Sequence, residues 1–257
     1  MIAPTVLALD FDGVLCDGMK EYFQIAWRAY CNLWQLEDKT PPAGLAEQFY
    51  QVRPLIATGW EMPMLLRALL TGYSPAQMGE DWPGLSQRLI EQEGLTAAQL
   101  AAEVDGLRDQ WIATDPASWL AEQSLYPGVA ERLAVWLEAV QVVIISTKEG
   151  RFIQQILQPC GIDFSRLRIF GKEAKQPKHQ ILRELKAEQP EAVFWFVEDR
   201  LQTLHLVQKQ PDLGDVQLFL ATWGYNTAAE KASVAGDSGI HSITLPQFCD
   251  DFAGWYS

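Results

Sequence analysis

The chain has 257 residues, 48% of them hydrophobic and 21% charged, and a formal net charge of −13. Such a composition excludes a largely disordered chain. The acidity argues against nucleic acid as a partner, because phosphate backbones are bound by stripes of Lys and Arg. No apolar run reaches the roughly 18–20 residues needed to cross a bilayer. The N-terminus lacks the charged-then-apolar layout of a signal peptide, and Cys16, Cys31, Cys160 and Cys249 show no CxxC spacing. A cytoplasmic protein with reduced thiols and no membrane partner is the expectation.

In chain order, Val6-Leu7-Ala8-Leu9 is a short apolar run of strand type that stops abruptly at Asp10-Phe11-Asp12-Gly13. Over residues 19–36 the period changes. Met19, Tyr22, Phe23, Ala26, Trp27, Tyr30, Leu33 and Trp34 recur at steps of three and four, the mark of an amphipathic helix. Further helices are predicted at about 44–57, 62–71 and 85–93, then from an N-cap at Thr96 to about 113, with Pro and Gly between them. Nothing between 17 and 120 reads as a strand.

From Tyr126-Pro127-Gly128 onward, helix and strand alternate. Helices at 129–139, 149–158, 178–188 and 200–209 separate apolar strands at 142–145, around 168–170, at 193–197 and at 216–221, with a last one near Ile243. Near-continuous apolar strands divided by helices predict a parallel sheet covered on both faces. The fold class is therefore α/β: a Rossmann-like core from residues 1–16 and 121–257, with an all-helical cap inserted over 17–120. The changes of period at both boundaries make the linkers near 16–18 and 120–126 the expected hinges.

Open parallel sheets place their sites outside the carboxyl ends of the strands. Here strand one ends in Asp10 and Asp12, the strand at 142–145 in Ser146, and the strand at 193–197 in Glu198 and Asp199. Positions i and i+2 share a face in an extended segment, so Asp10 and Asp12 are expected to reach one reacting centre. All-oxygen ligands suit Mg²⁺, which keeps several waters and is completed by substrate phosphate. A carboxylate that attacks phosphorus divides a hard displacement into two easier ones, and a neighbouring carboxyl can serve as acid and then base.

With these residues in view, the chain resembles the haloacid dehalogenase-like superfamily, specifically its phosphatase branch with a helical cap after the first strand. Leu9-Asp10-Phe11-Asp12-Gly13-Val14-Leu15 is similar to the family's first motif and Ile145-Ser146-Thr147-Lys148 to the second. Pro177-Lys178-His179-Gln180-Ile181-Leu182 resembles the third motif and Phe196-Val197-Glu198-Asp199-Arg200 the fourth. The resemblance implies Asp10 as nucleophile and metal ligand, and Asp12 as general acid/base with its backbone carbonyl on the metal. It implies Ser146 as the phosphoryl-binding hydroxyl, Lys178 as the charge-offsetting lysine, Asp199 as a metal ligand and Mg²⁺ as the cofactor. Thr147 is the expected further substrate contact in the core, and Arg53 in the cap is a candidate for a substrate carboxylate or second phosphate.

Two positions depart from the family pattern. Many members carry Gly before the metal-binding Asp and an acid four residues after it, where this chain has Glu198 and Thr203. Glu198 is the expected replacement carboxylate. Lys172 and Lys175 lie close to Lys178, which is preferred because Pro177 marks a helix start and Ile181, Leu182 and Leu185 continue its apolar face. The implied function is Mg²⁺-dependent hydrolysis of a small phosphorylated metabolite through an aspartyl-phosphate, with phosphoglycolate a natural suggestion. The alternatives are a phosphomutase on the same fold and a non-catalytic binding protein.

Overall fold

The computed structural model describes residues 3–56, 58–237 and 239–256. The chain divides into two compact units, Met1–Asp17 with Ser124–Ser257, and Gly18–Gln123.

The first unit is built on a six-stranded sheet. Its strands are β1 (Val6–Leu9), β4 (Gln141–Ile145), β5 (Leu167–Phe170), β6 (Phe194–Glu198), β7 (Gln217–Ala221) and β8 (Ile240–Ile243), in the spatial order β5-β4-β1-β6-β7-β8. Every neighbouring pair in it is parallel. The chain steps outward from β1 in one direction, then returns to lay β6 on the other side of β1. This is the doubly wound order, with its switch point beside β1. Residues 16–17 (β2) and 124–125 (β3) form a separate antiparallel pair, Cys16 with Leu125 and Asp17 with Ser124. The two crossings to the helical unit therefore lie side by side.

Burial on both faces explains the unbroken apolar strands. Helices α8 (Val129–Ala139), α9 (Gly150–Leu157), α10 (Lys178–Glu188) and α11 (Leu201–Gln208) alternate with the strands. Val6, Ala8, Val143, Ile145, Phe194, Phe196, Leu218 and Leu220 pack on one face against Ile181, Leu182 and Leu185 of α10 and Leu201, Leu204 and Val207 of α11. On the other face an aromatic cluster closes the core. Trp255 lies 5.3 Å from Trp195, 5.2 Å from Phe219 and 5.9 Å from Trp136, ring centre to ring centre, within the range of edge and offset contacts.

The second unit contains helices and no strand among its described residues. It comprises α1 (Met19–Leu33), α2 (Leu45–Val52), α3 (Met62–Leu70), α4 (Pro75–Glu80), α5 (Trp82–Glu93), α6 (Ala97–Thr114) and α7 (Pro116–Ala121). Thr96 caps α6 as expected, accepting from the Gln99 amide at 3.2 Å. Helices α4 and α7 were absent from the sequence expectation, and α5 begins at Trp82 rather than 85. Pro75, Pro83 and Pro116 lie in first turns, where a missing N–H costs nothing, although Pro83 and Pro116 read as breaks in sequence. The helix expected over 44–57 ends at Val52, and Pro54 sits in a 3-10 turn over Arg53–Leu55. Inside this unit the buried Glu21 pairs with Arg108 at 2.7 Å. No helix is long and apolar enough to cross a membrane among the described residues.

Candidate active site

Leu9 pairs with Ile144 on one side and Val197 on the other. Asp10, Ser146 and the Glu198–Asp199 pair thus leave the sheet at adjacent points. The Asp10 amide donates to Val197 O at 2.9 Å, which keeps the chain in register one residue beyond β1. It then turns sharply: the amides of Leu15 and Cys16 both donate to Phe11 O, at 2.8 and 2.9 Å. Gly13 takes φ +87°, and a Cβ there would stand 2.2 Å from Asp199 Oδ2. Only a residue without a side chain lets the Asp199 carboxylate approach this loop.

The structure brings Asp10, Lys178, Glu198 and Asp199 together. Lys178, at the start of α10, places its ammonium 2.7 Å from Asp10 Oδ1 and 2.6 Å from Glu198 Oε2. The other Glu198 oxygen accepts from the Arg200 amide at 3.0 Å. Asp199 Oδ2 accepts from the Tyr225 amide at 2.6 Å, and the Asn226 side chain ties Asp199 O (3.0 Å) to Ala221 O (2.8 Å). Glu198 is the last residue of β6 and Asp199 the first beyond it, and both are buried. Lys172 and Lys175 are exposed.

Asp12 has a different cation. Although it is two residues from Asp10, the turn at Phe11 separates the contacts of the two carboxylates, and Asp12 Oδ1 lies 3.0 Å from Lys148 Nζ. Ser146 is buried; its amide donates to Phe170 O at 2.9 Å and its hydroxyl accepts from the Lys148 amide at 3.1 Å. Thr147 is exposed. Arg53 lies in the helical unit with its guanidinium 4.7 Å above the Tyr22 ring and a 3.4 Å bond to Ile56 O. Thr203 is half-buried on α11.

Sequence reasoning named no role for Lys148, Gly13, Tyr225 or Asn226. The signal that found the acids also reaches the last two: Trp223-Gly224-Tyr225-Asn226 follows β7 just as Glu198–Asp199 ends β6. Gly224 is part of the same close approach, since a Cβ there would meet Asp199 Cβ at 2.3 Å.

Electrostatics follow from this crowding. Burial, followed by the Glu198 charge, raises the Asp10 carboxyl from 3.8 to about 8. Burial, followed by the Asp10 charge, raises Asp199 from 3.8 to about 6. Burial also pushes Glu198 up. The Lys178 ammonium is held above its usual range, because the charges of Asp10 and Glu198 outweigh the penalty of burial. One oxygen from each of Asp10, Glu198 and Asp199 lies within 4.8 Å of the others. Three buried carboxylates around one ammonium, with oxygen donors throughout, fit a hard divalent cation such as Mg²⁺. Its charge would offset the burial and mutual repulsion that raise these carboxyls.

The core is thus a doubly wound parallel α/β sheet with a buried acidic, cation-compatible cluster at its switch point. The sequence model of the haloacid dehalogenase-like hydrolases matches residues 4–202, and the chain belongs to that family. Its structure is similar to that of a haloacid dehalogenase-like family hydrolase from Streptococcus pneumoniae (16% identity, 94% of each chain covered, TM-score 0.58). It is also similar to a predicted phosphatase from Clostridium acetobutylicum (15% identity, 96% of this chain and 97% of that chain, TM-score 0.57). A predicted phosphoglycolate phosphatase from Haemophilus somnus is a third (15% identity, 88% of each chain, TM-score 0.54). At these identities the likeness is one of fold. No curated protein matches the chain.

Proposed function

We propose that the chain is a Mg²⁺-dependent phosphatase that hydrolyses a small phosphorylated metabolite, with Asp10 as nucleophile. The observation that carries this reading is the Asp10 carboxylate, buried at the end of the central strand and held at 2.7 Å by the Lys178 ammonium. Asp10, Asp199 and the backbone carbonyl of Asp12 would hold the metal. Glu198, with both oxygens already committed to Lys178 and Arg200, would tune it from behind. When bound, Mg²⁺ supplies positive charge that offsets the carboxylates and the transferring phosphoryl group.

The chemistry of the chain's own residues then runs in two displacements. Asp10 attacks phosphorus, and its new P–O bond forms as the bond to the leaving alcohol breaks. The proton on Asp12 goes to the departing oxygen. Water next attacks the phosphorus, gives a proton to Asp12 and breaks the bond to Asp10, releasing inorganic phosphate. Ser146 and Lys178 orient and stabilise the phosphoryl oxygens, and Thr147 contacts them from the rim. Ser146 is suited to this because its buried hydroxyl is fixed by the Lys148 amide. The helical unit would act as a cap that shields these steps from bulk water, with Arg53 as its candidate substrate contact.

The test is phosphate release from a panel of small phosphate esters, with and without Mg²⁺. Phosphoglycolate belongs in it because the similar Haemophilus somnus protein carries that description. Asp10→Asn should abolish release while leaving the fold intact. Full turnover in excess chelator, or an active Asp10→Asn protein, would overturn the reading. Formation of an isomeric phosphate with little free phosphate would point to a phosphomutase instead.

A further inference from the structure

Lys148 is the cation in this site that the chemistry above leaves without a task. Its side chain is 9% exposed and lies in the loop that follows β4. Its backbone is fixed from two sides. The amide donates to Ser146 Oγ at 3.1 Å, and the carbonyl accepts from the Lys172 amide at 3.0 Å. Gly171 presses on the same carbonyl: a Cβ there would stand 2.7 Å from Lys148 O and 2.4 Å from the Gly150 amide nitrogen. The ammonium stands 5.9 Å from the centre of the Phe11 ring, within reach of the ring's negative face, and 3.0 Å from Asp12 Oδ1. That oxygen is buried and accepts no hydrogen bond among the described residues. When Asp12 is ionised, charge alone therefore holds this oxygen towards Lys148.

Mobile surface lysines that meet a carboxylate contribute little, because salt screens the pair and both side chains lose rotamer freedom. Here the lysine backbone is pinned, the ammonium has a ring on one side, and the carboxylate is on a glycine-closed turn. Asp12 is thus limited to orientations compatible with a fixed cation. General acid catalysis depends on such orientation, since the proton must meet the leaving oxygen within hydrogen-bond reach.

We infer that Lys148 is a positioning residue for Asp12, holding its carboxyl in the orientation from which a proton passes to the leaving oxygen. The inference rests on the phosphatase reading. In the balanced step, the Asp10–phosphorus bond forms as the P–O bond to the leaving alcohol breaks, and the Asp12 proton ends on that oxygen. The carboxylate so formed faces the Lys148 ammonium, which keeps its own protons throughout. Its influence should therefore scale with how much the leaving group needs a proton.

The experiment compares kcat/KM, which reports the steps through departure of the alcohol, for an alkyl phosphate and for p-nitrophenyl phosphate. Wild-type activity on both, abolished by Asp10→Asn, is the control on the phosphatase reading; an active Asp10→Asn protein overturns that reading and this inference with it. Lys148→Met should lower kcat/KM about 10- to 100-fold on the alkyl ester, a fraction of what general acids typically contribute, and less than about threefold on the nitrophenyl ester. In an Asp12→Asn background the same substitution should add no further loss, because the two residues act as a unit. Lys148→Arg should recover part of the loss. An equal loss on both esters, additive with Asp12→Asn and accompanied by weaker inhibition by inorganic phosphate, would make Lys148 a phosphate-binding residue and overturn the inference. So would unchanged kinetics. Should Lys148→Met fail to fold, Lys148→Gln is read by the same criteria.

Discussion

The ammonium of Lys178 lies 2.7 Å from Asp10 Oδ1, and the same nitrogen reaches Glu198 Oε2 at 2.6 Å. One cation, 13% exposed, is thus shared between two buried carboxylates. Removing it leaves both acids without the partner that offsets their desolvation, and breaking a buried pair from one side typically costs about 3–5 kcal/mol. Lys178→Met keeps most of the side-chain volume and should lower stability in that range at pH 8 without metal, read from urea unfolding. Activity should fall at least about 100-fold. An unchanged unfolding midpoint together with wild-type turnover would contradict the arrangement.

The raised carboxyls dictate how the metal-free protein responds to pH. Asp10 moves from 3.8 to about 8 and Asp199 from 3.8 to about 6, so both bind protons more tightly folded than unfolded. Their contribution is fully present below pH 3.8 and is lost as pH rises through the folded values. Exposed carboxylates such as Asp115, Asp163 and Asp212 shift downward through hydrogen bonds. Their contribution is present above their unfolded pKa and is lost on acidification. Between pH 5.5 and 8.5 in chelator, stability should therefore fall as pH rises, by up to about 1.4 kcal/mol per pH unit for each group while it titrates. Asp10→Asn should flatten most of this slope, and saturating Mg²⁺ should flatten it while raising the midpoint. A slope of the opposite sign in chelator would mean that the acids are ionised in the folded protein without a metal.

In the proposed metal site, the Glu198–Asp199 pair would separate two roles that lie one residue apart. Asp199 is held by the Tyr225 amide through one oxygen, while Glu198 has both oxygens engaged by Lys178 and Arg200. Asp199→Asn keeps an acceptor for Tyr225 but removes the charge, and should raise the Mg²⁺ requirement more than about 100-fold. Glu198→Gln should shift it about 10- to 100-fold, as losses behind a metal's direct ligands typically do. Thr203→Ala should stay within about twofold, consistent with small effects of surface changes. Activity measured against Mg²⁺ concentration decides the order. An unmoved curve for Glu198→Gln removes its metal-tuning role, and a mild Asp199→Asn phenotype removes Asp199 as a ligand.

What was legible in the sequence had a local signature. Asp10, Ser146 and Asp199 each follow an apolar run that can only be a buried strand, and Lys178 follows a proline at a helix start. The parallel sheet was legible for the same reason: two-sided burial writes itself as unbroken Val, Ile, Leu and Phe. What was hidden depends on tertiary neighbours. Tyr225 holds Asp199 through a backbone N–H, a group that no side chain encodes, and Lys148 resembles any lysine in a polar turn until β1 brings Asp12 beside it. The helix starts at Pro75 and Pro116 were hidden differently, because proline is both a breaker and a favoured first-turn residue. Arg53 was placed on a continuous helix, whereas Pro54 turns the chain there and its guanidinium rests over Tyr22.

The central place of β1 sets the order in which this protein can be assembled. Val6 pairs with Gln141 on one edge and Phe194 on the other, and both partners lie beyond the whole of Gly18–Gln123. During synthesis β1, which leads into Asp10, leaves the ribosome before the other strands of its sheet and waits longest for its partners, with its backbone unpaired along both edges. The contiguous helical segment can meanwhile close on contacts near in sequence. Parallel pairing across such separations is slow, because a long loop must close before any contact rewards it. Val6-Leu7-Ala8-Leu9, with no charge to deter another strand, is therefore the stretch most exposed to pairing with a neighbouring chain before its own partners arrive.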